Sequence, residues 1–211
     1  MSESARFWDW IADRYAKQPV PDAAAYQHKL DVTRQYFTPD MQVLEFGCGT
    51  GTTAISHAPH VAQIRAIDVS PKMLDIARQK AAAAGVSNVR FEQSSIDALA
   101  AADASFDVVM GHSILHLLRD KDAAIAKVHR LLKPGGVFIT STTCAGDSPK
   151  LRAIGFVLSI GSRLGLLPYL SVFTEKDLHA SLTRAGFDIA HRWQPKPNSA
   201  VFIVAKKPAD P

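Results

Sequence analysis

The sequence predicts an α/β fold: a doubly wound sheet of seven strands, mostly parallel with an antiparallel seventh strand, and helices on both faces. Three observations carry this. From residue 41 onward, apolar runs of strand length alternate with segments of helical period, as a sheet built from crossover units requires. The first run, Gln42-Val43-Leu44-Glu45-Phe46, enters Gly47-Cys48-Gly49-Thr50-Gly51, where glycine at alternate positions lets backbone approach a ligand closely. The last two runs are separated only by a short turn rich in Pro195, Pro197 and Asn198, so they pair antiparallel.

Each element follows from local chemistry. Phe7-Trp8-Asp9-Trp10-Ile11-Ala12 with Tyr15 makes an aromatic leading helix. A second helix spans 22–37, because Ala23, Tyr26, Leu30, the Arg34 stem and Phe37 recur at three and four. Pro39-Asp40 turns the chain into a first strand over 41–46. A helix starts at Thr52 and ends at Pro59, and a second strand covers 61–67. Ser70-Pro71 is a cap followed by proline at the first helical position, and the helix it opens runs to Gly85. The third and fourth strands are expected over 88–92 and 106–110. A helix over 122–132 is stopped by Pro134-Gly135-Gly136, and 137–141 is the fifth strand. Thr174-Glu175-Lys176-Asp177 resembles a capping box whose helix reaches Ala185 and closes at Gly186. Strands over 187–193 and 200–205 complete the sheet.

At 211 residues the chain suits a single domain with a sizeable core, and its 47% apolar content fits a globular protein. The first six residues hold no apolar h-region, and no run approaches the ~18 apolar residues of a membrane span, so the cytoplasm is expected. Cys48 and Cys144 are the two cysteines, too few for a disulfide framework or a zinc spacing. A net charge of +4 is spread along the chain without aromatic interleaving, which argues against nucleic acid as a partner.

The chemistry concentrates at the glycine loop. Asp68 follows 17 positions after Gly51 and ends the second strand, where a carboxylate can accept hydrogen bonds from a ribose diol. An adenosine-containing ligand is therefore expected. A dinucleotide fits less well, since its fingerprint needs Gly or Ala where Thr52 stands. Glu45 beside the loop repels a pyrophosphate but suits the ammonium and sulfonium charges of S-adenosyl-L-methionine.

These residues resemble the first motif of the class I S-adenosylmethionine-dependent methyltransferases. The chain looks most like their small-molecule, type 11-like branch, which includes quinone C-methyltransferases and bacterial phospholipid N-methyltransferases. The resemblance implies a Rossmann-like fold over about 43–211, loosest within 146–172. It implies that the backbone of Gly47, Cys48 and Gly49 meets the methionine part of the cofactor, with Glu45 near its ammonium and Asp68 on the ribose. Val69 and Met73 would give apolar contact to adenine, although Met73 equally suits core packing. Family members often carry an acidic residue where Ser95 stands. Ser95 can still accept a hydrogen bond, Ile96 would offer its backbone N–H, and Asp97 either substitutes or caps a short helix after it. Residues 1–40 would form a helical lid over the cofactor, with Trp8, Tyr15 and Tyr26 as its aromatics; core packing of the same rings is the other reading.

The fourth strand leads into Gly111-His112-Ser113-Ile114-Leu115-His116, and ligands in such sheets bind beyond the carboxyl ends of strands. His112 and His116, four apart, could share one helical face, and each is a candidate general base. His112 would also line the cofactor pocket. The pair lacks a third residue at metal-ligand spacing, so no metal is expected. Within 146–172, an apolar insertion over 148–172 is broken by Gly155, Gly161, Gly165 and Pro168, and its only charged residues are Lys150, Arg152 and Arg163. It is expected to cap a lipophilic or aromatic small-molecule acceptor, with contact at an anionic membrane surface as one use and a core cap or dimer face as others. The expected activity is methyl transfer to O, N, C or S. A binding module without transfer is the alternative.

Overall fold

The computed structural model describes residues 3–149, 151–152 and 169–209. The chain groups into two compact units, Met1–Ala100 with Phe106–Met110 and Ala101–Ser105 with Gly111–Pro211. Its elements run α1 (Glu3–Ala16), α2 (Ala23–Arg34), β1 (Gln42–Phe46), α3 (Thr52–His57), β2 (Gln63–Asp68), α4 (Pro71–Ala83), β3 (Val89–Gln93), β4 (Phe106–His112), α5 (Lys121–Leu131), β5 (Leu132–Thr142), α6 (Glu175–Arg184), β6 (Asp188–Trp193) and β7 (Val201–Lys206). The strands form one seven-stranded sheet in the order β3-β2-β1-β4-β5-β7-β6. β1 pairs parallel with β2 and β4, and β2 with β3, while β7 runs antiparallel to both β5 and β6. The doubly wound reading and its antiparallel seventh strand are therefore what the chain forms.

In the amino-terminal unit β1 is buried along most of its length and β2 over its second half, where their residues are largely apolar. Leu44, Phe46, Ile64 and Ile67 lie at 1% exposure or less, and Leu74 of α4 is buried with them. Burying such a side chain fully is worth about 1.5–3 kcal/mol. Side chains cap two helices here, the Ser70 cap as the sequence implies and the Asp22 cap where the sequence placed the helix's first residue. Asp22 accepts the Ala25 N–H to start α2, and Ser70 accepts the Met73 N–H to start α4. α2 is shorter than the expected 22–37, since residues after Arg34 tighten into turn bonds such as Gln35 N–H to the Val32 carbonyl. β2 starts later than expected. The Asn88 amide donates to the carbonyls of Ala58, Val61 and Ala62, which holds that stretch off the ladder.

In the carboxy-terminal unit, β5 pairs Val137–Thr142 against Val201–Lys206, and the buried rings of Phe138, Phe187 and Phe202 fill its core. Pro134-Gly135-Gly136 ends α5 as expected but does not delay the strand, which begins at Leu132. The reason is pairing with the tail. Gly135 donates to the Pro208 carbonyl, and Lys207 donates to that of Gly136. Thr174 and Asp177 form the reciprocal capping box of α6. Gly146 allows backbone to pass close to Phe173, because a Cβ there would lie 2.7 Å from the Phe173 carbonyl carbon. Of the expected cap insertion, residue 150 and residues 153–168 lie outside the described residues.

Candidate active site

The amino-terminal unit brings the loop glycines, Glu45 and Asp68 together. Gly47, Gly49 and Gly51 all take left-handed backbone, with φ of 65°, 52° and 73°. Two of them serve different needs. A Cβ on Gly51 would lie 2.8 Å from the Ala77 Cβ and 2.9 Å from the Phe91 ring, so this glycine lets the loop pack on α4 and β3. A Cβ on Gly49 would meet nothing nearer than Tyr15 Cε1 at 4.0 Å, so Gly49 faces open space roofed by the Tyr15 ring.

Asp68 is held by backbone alone. Its Oδ2 accepts the Gly49 N–H at 2.8 Å and its Oδ1 the Ser70 N–H at 2.9 Å. Each oxygen keeps further lone pairs, enough to accept two more hydrogen bonds. Burial raises its pKa, opposed by these backbone bonds. Cys48 ties the loop to β2 through its N–H and the Ile67 carbonyl, and burial first, then Glu45 and Asp68, raises its thiol far above the ordinary range. That thiol is unreactive at neutral pH.

Glu45 is 3% exposed. Its carboxylate accepts the Ala54 N–H, yet burial, and next the Asp68 charge, push its pKa up to about 8. Among the described residues its Oε2 has no hydrogen-bond partner. An unpaired buried oxygen costs about 1–3 kcal/mol.

Other sequence-derived residues fall around these. Val69 is half-buried, Met73 is in the core at 2% exposure, and so is Ile96 at 2%. Ser95 Oγ accepts the Ala98 N–H at 3.1 Å, so Ser95 caps the segment after β3, and that segment is a turn where a short helix was expected. Tyr26 shares a 3.3 Å hydrogen bond with Thr53 of α3. Two residues here carry no signal in the sequence. Lys80 of α4 donates to Thr50 and Thr52 at 2.9 and 3.2 Å, bracing the loop, and Asp9 of α1 accepts the Ser70 hydroxyl at 2.6 Å. Neither has a local motif, since their partners lie 28 to 61 positions away.

The carboxy-terminal unit carries the two histidines. They do not share a helical face as the four-residue spacing suggested. His112 ends β4, Ser113 takes left-handed φ of 54°, and His116 sits in a single 3₁₀ turn, Leu115–Leu117. The Ser113 N–H donates to the Ser141 carbonyl at 2.6 Å, so strand pairing runs one residue past His112. His112 is half-exposed and stacks near-parallel to Phe202, centroids 6.4 Å apart. His116 Nδ1 hydrogen-bonds Thr142 Oγ1 at 3.0 Å, and burial lowers its pKa to about 4. Among the described residues no group of three or more His, Cys, Asp or Glu could hold a metal ion.

Residues 37–188 match the methyltransferase domain family. The YcgJ protein of Bacillus subtilis, an uncharacterized methyltransferase, is 34% identical over 110 residues, which are 52% of this chain and 44% of that protein. A ubiquinone biosynthesis O-methyltransferase of Albidiferax ferrireducens is 32% identical over 154 residues, 71% of this chain and 61% of that one. The chain thus spans only about half of each of these relatives. The crystal structure of YcgJ matches with a TM-score of 0.71 at 20% identity, covering 87% of this chain and 100% of that one, which is a likeness of fold.

Proposed function

The chain belongs to the methyltransferase domain family, and from that membership we propose that it transfers the methyl group of S-adenosyl-L-methionine to a small lipophilic or aromatic acceptor. The observation that carries this reading is Glu45, a buried carboxylate with an unpartnered oxygen beside an open loop and a ribose-ready Asp68. That set fits the cofactor: it offers one site for an ammonium group, one for a diol, and a glycine with room in front of it. Bound S-adenosyl-L-methionine supplies an electrophilic methyl group on a cationic sulfur.

The chain's own residues do the rest in this reading. Glu45 takes the ammonium, and the amides of Gly47, Cys48 and Gly49 line the methionine part. Asp68 takes the ribose hydroxyls. Val69, Met73, Ser95 and Ile96 border the adenine. Tyr15 and α1, within a lid of residues 1–40, exclude water from the charged centre. Positioning dominates the chemistry, since aligned reactants can supply about 7–11 kcal/mol. Where the acceptor carries a proton, His112 is the proposed base. His116, held neutral with a pKa of about 4, is the weaker one.

The acceptor class rests on the apolar insertion within 146–172 and on the quinone-pathway name of one relative. The same insertion, with Lys150, Arg152 and Arg163, suits contact with an anionic membrane surface. No helix among the described residues is long and apolar enough to cross a membrane. Titration calorimetry with S-adenosyl-L-methionine, its demethylated product and NAD tests the cofactor. A screen of quinols, phenols and aminolipids with methyl-labelled cofactor tests the acceptor. Binding of NAD alone would overturn the reading. Cofactor binding with no transfer across the screen would leave a binding module.

A further inference from the structure

We propose that Asp9 is a positioning residue for the cofactor, a latch on the leading helix that sets the ribose carboxylate Asp68 through Ser70. This rests on the reading that the glycine loop and Asp68 hold S-adenosyl-L-methionine. Asp9 lies on α1, and its Oδ1 accepts two hydrogen bonds from the start of α4: the Ser70 hydroxyl at 2.6 Å and the Lys72 N–H at 3.2 Å. An O–H···O bond of that length is short and well formed.

The consequence runs through one buried residue. Ser70 is 0% exposed, and its bonds on three sides fix it. Its hydroxyl proton points to Asp9, which leaves its oxygen lone pairs to accept the Met73 N–H at 3.1 Å. Its backbone N–H donates to Asp68 Oδ1 at 2.9 Å. Without Asp9 the hydroxyl is free to rotate, the α4 cap loosens, and the amide that aims Asp68 is no longer pinned. The same latch holds α1 in place, and α1 carries Tyr15 to the open face of Gly49. One carboxylate therefore sets both the floor of the ribose site and its roof.

The negative charge of Asp9 acts on Asp68 unfavourably, raising the latter's pKa further. A neutral acceptor would avoid that repulsion, so the latch works by hydrogen-bond geometry and not by charge. This distinction makes the idea testable with paired variants. Asp9→Ala removes both acceptor bonds. Asp9→Asn keeps an amide oxygen that can accept both and removes the charge.

The experiment has two arms on the full chain. In the first, calorimetry with S-adenosyl-L-methionine is expected to show about tenfold weaker binding for Asp9→Ala and binding within about twofold of the parent for Asp9→Asn. The kinetic loss should fall on the cofactor KM rather than on kcat. Ser70→Ala should weaken binding similarly, and adding Asp9→Ala to it should cost little more, because the two act in series. In the second arm, hydrogen exchange without cofactor should show faster exchange at the amides of residues 70–73 and in α1 for Asp9→Ala, but not for Asp9→Asn. Parental affinity in Asp9→Ala overturns the proposal. Equal losses in Asp9→Ala and Asp9→Asn also overturn it, since charge would then be the cause. If the parent protein binds no cofactor, the functional reading fails by itself. The exchange arm then decides the latch: unchanged exchange in Asp9→Ala overturns it, and faster exchange supports it.

Discussion

The two units each bury a titratable group and each keep it neutral near pH 7, but they leave it in different conditions. In the amino-terminal unit, Glu45 has its pKa raised to about 8 and one oxygen with no partner. In the carboxy-terminal unit, His116 has its pKa lowered to about 4, and its Nδ1 is engaged with Thr142. Burial does the same thing to both, disfavouring charge. What differs is satisfaction. An unsatisfied buried oxygen beside an open loop marks a place that a ligand completes. A satisfied imidazole marks a place already at rest.

The largest effect that sharpens this contrast concerns the two histidines. If His112 removes a proton from the acceptor, His112→Ala should lower turnover by about 10²–10⁴-fold with cofactor affinity intact. His116→Ala should cost less than about tenfold, since so weak a base is mostly positional. Single-turnover rates with labelled cofactor measure both. Losses below tenfold in both variants would leave in-line positioning as the whole mechanism.

Next in size is Asp68, proposed to hold the ribose. Asp68→Ala should weaken S-adenosyl-L-methionine binding by about 1.5–3 kcal/mol, the worth of hydrogen bonds to a charged group. The glycines provide the control. Gly49→Val should abolish binding by filling the space before Tyr15. Gly51→Val should first cost stability, because its side chain collides with Ala77 and Phe91 at a left-handed φ. Thermal melts read beside calorimetry separate the two. Equal melting losses in both variants would show that Gly49 is structural too.

Legibility in the sequence divides along the same line. The glycine loop, Glu45 and Asp68 were readable because their chemistry is local: an apolar strand, a loop without Cβ atoms, and a carboxylate at a strand tip. The capping residues Ser70 and Thr174 were readable for the same reason. Asp9 and Lys80 were not, because each acts on a partner distant in sequence and nothing in α1 or α4 announces it. Nor did the spacing of His112 and His116 reveal their arrangement. A period of four fits a helix, but hydrogen bonding at the end of β4, with Ser113 in left-handed backbone, breaks that period. The Pro134-Gly135-Gly136 corner joined a strand because a tail residue supplied the partner that its backbone needed.

A smaller effect is the pH dependence of the amino-terminal unit measured without cofactor. The Glu45 pKa is raised on folding, so the stability this group contributes is complete below its ordinary carboxylate pKa. That stability is lost as pH rises through about 8. Stability should fall steadily across that window as pH rises. Glu45→Gln, which carries no charge, should remove the slope and raise the melting temperature at pH 8. The same variant should weaken cofactor binding, and binding by the parent near pH 7 should release a proton, seen as a buffer-dependent heat in calorimetry. Parallel melting curves for parent and variant from pH 5 to 8 would remove Glu45 from this role.

The smallest effect has the opposite sign and comes from His116. Its pKa is lowered on folding, from an ordinary value of about 6.5 to about 4, by burial of the ring. The unfolded chain therefore takes up this proton first. Stability from the neutral imidazole is present above pH 6.5 and is lost as pH falls through about 4. Because the ring keeps some exposure, the slope should stay below about 1 kcal/mol per pH unit. His116→Gln should flatten the acid limb while leaving the alkaline limb, governed by Glu45, unchanged. Urea midpoints measured from pH 4 to 8 on the parent, Glu45→Gln and His116→Gln resolve the two limbs. An acid limb that survives His116→Gln would place the titrating group elsewhere. An alkaline limb that moves with His116 would mean the two buried groups are coupled, and the contrast between a ligand-seeking carboxylate and a resting imidazole would have to be redrawn.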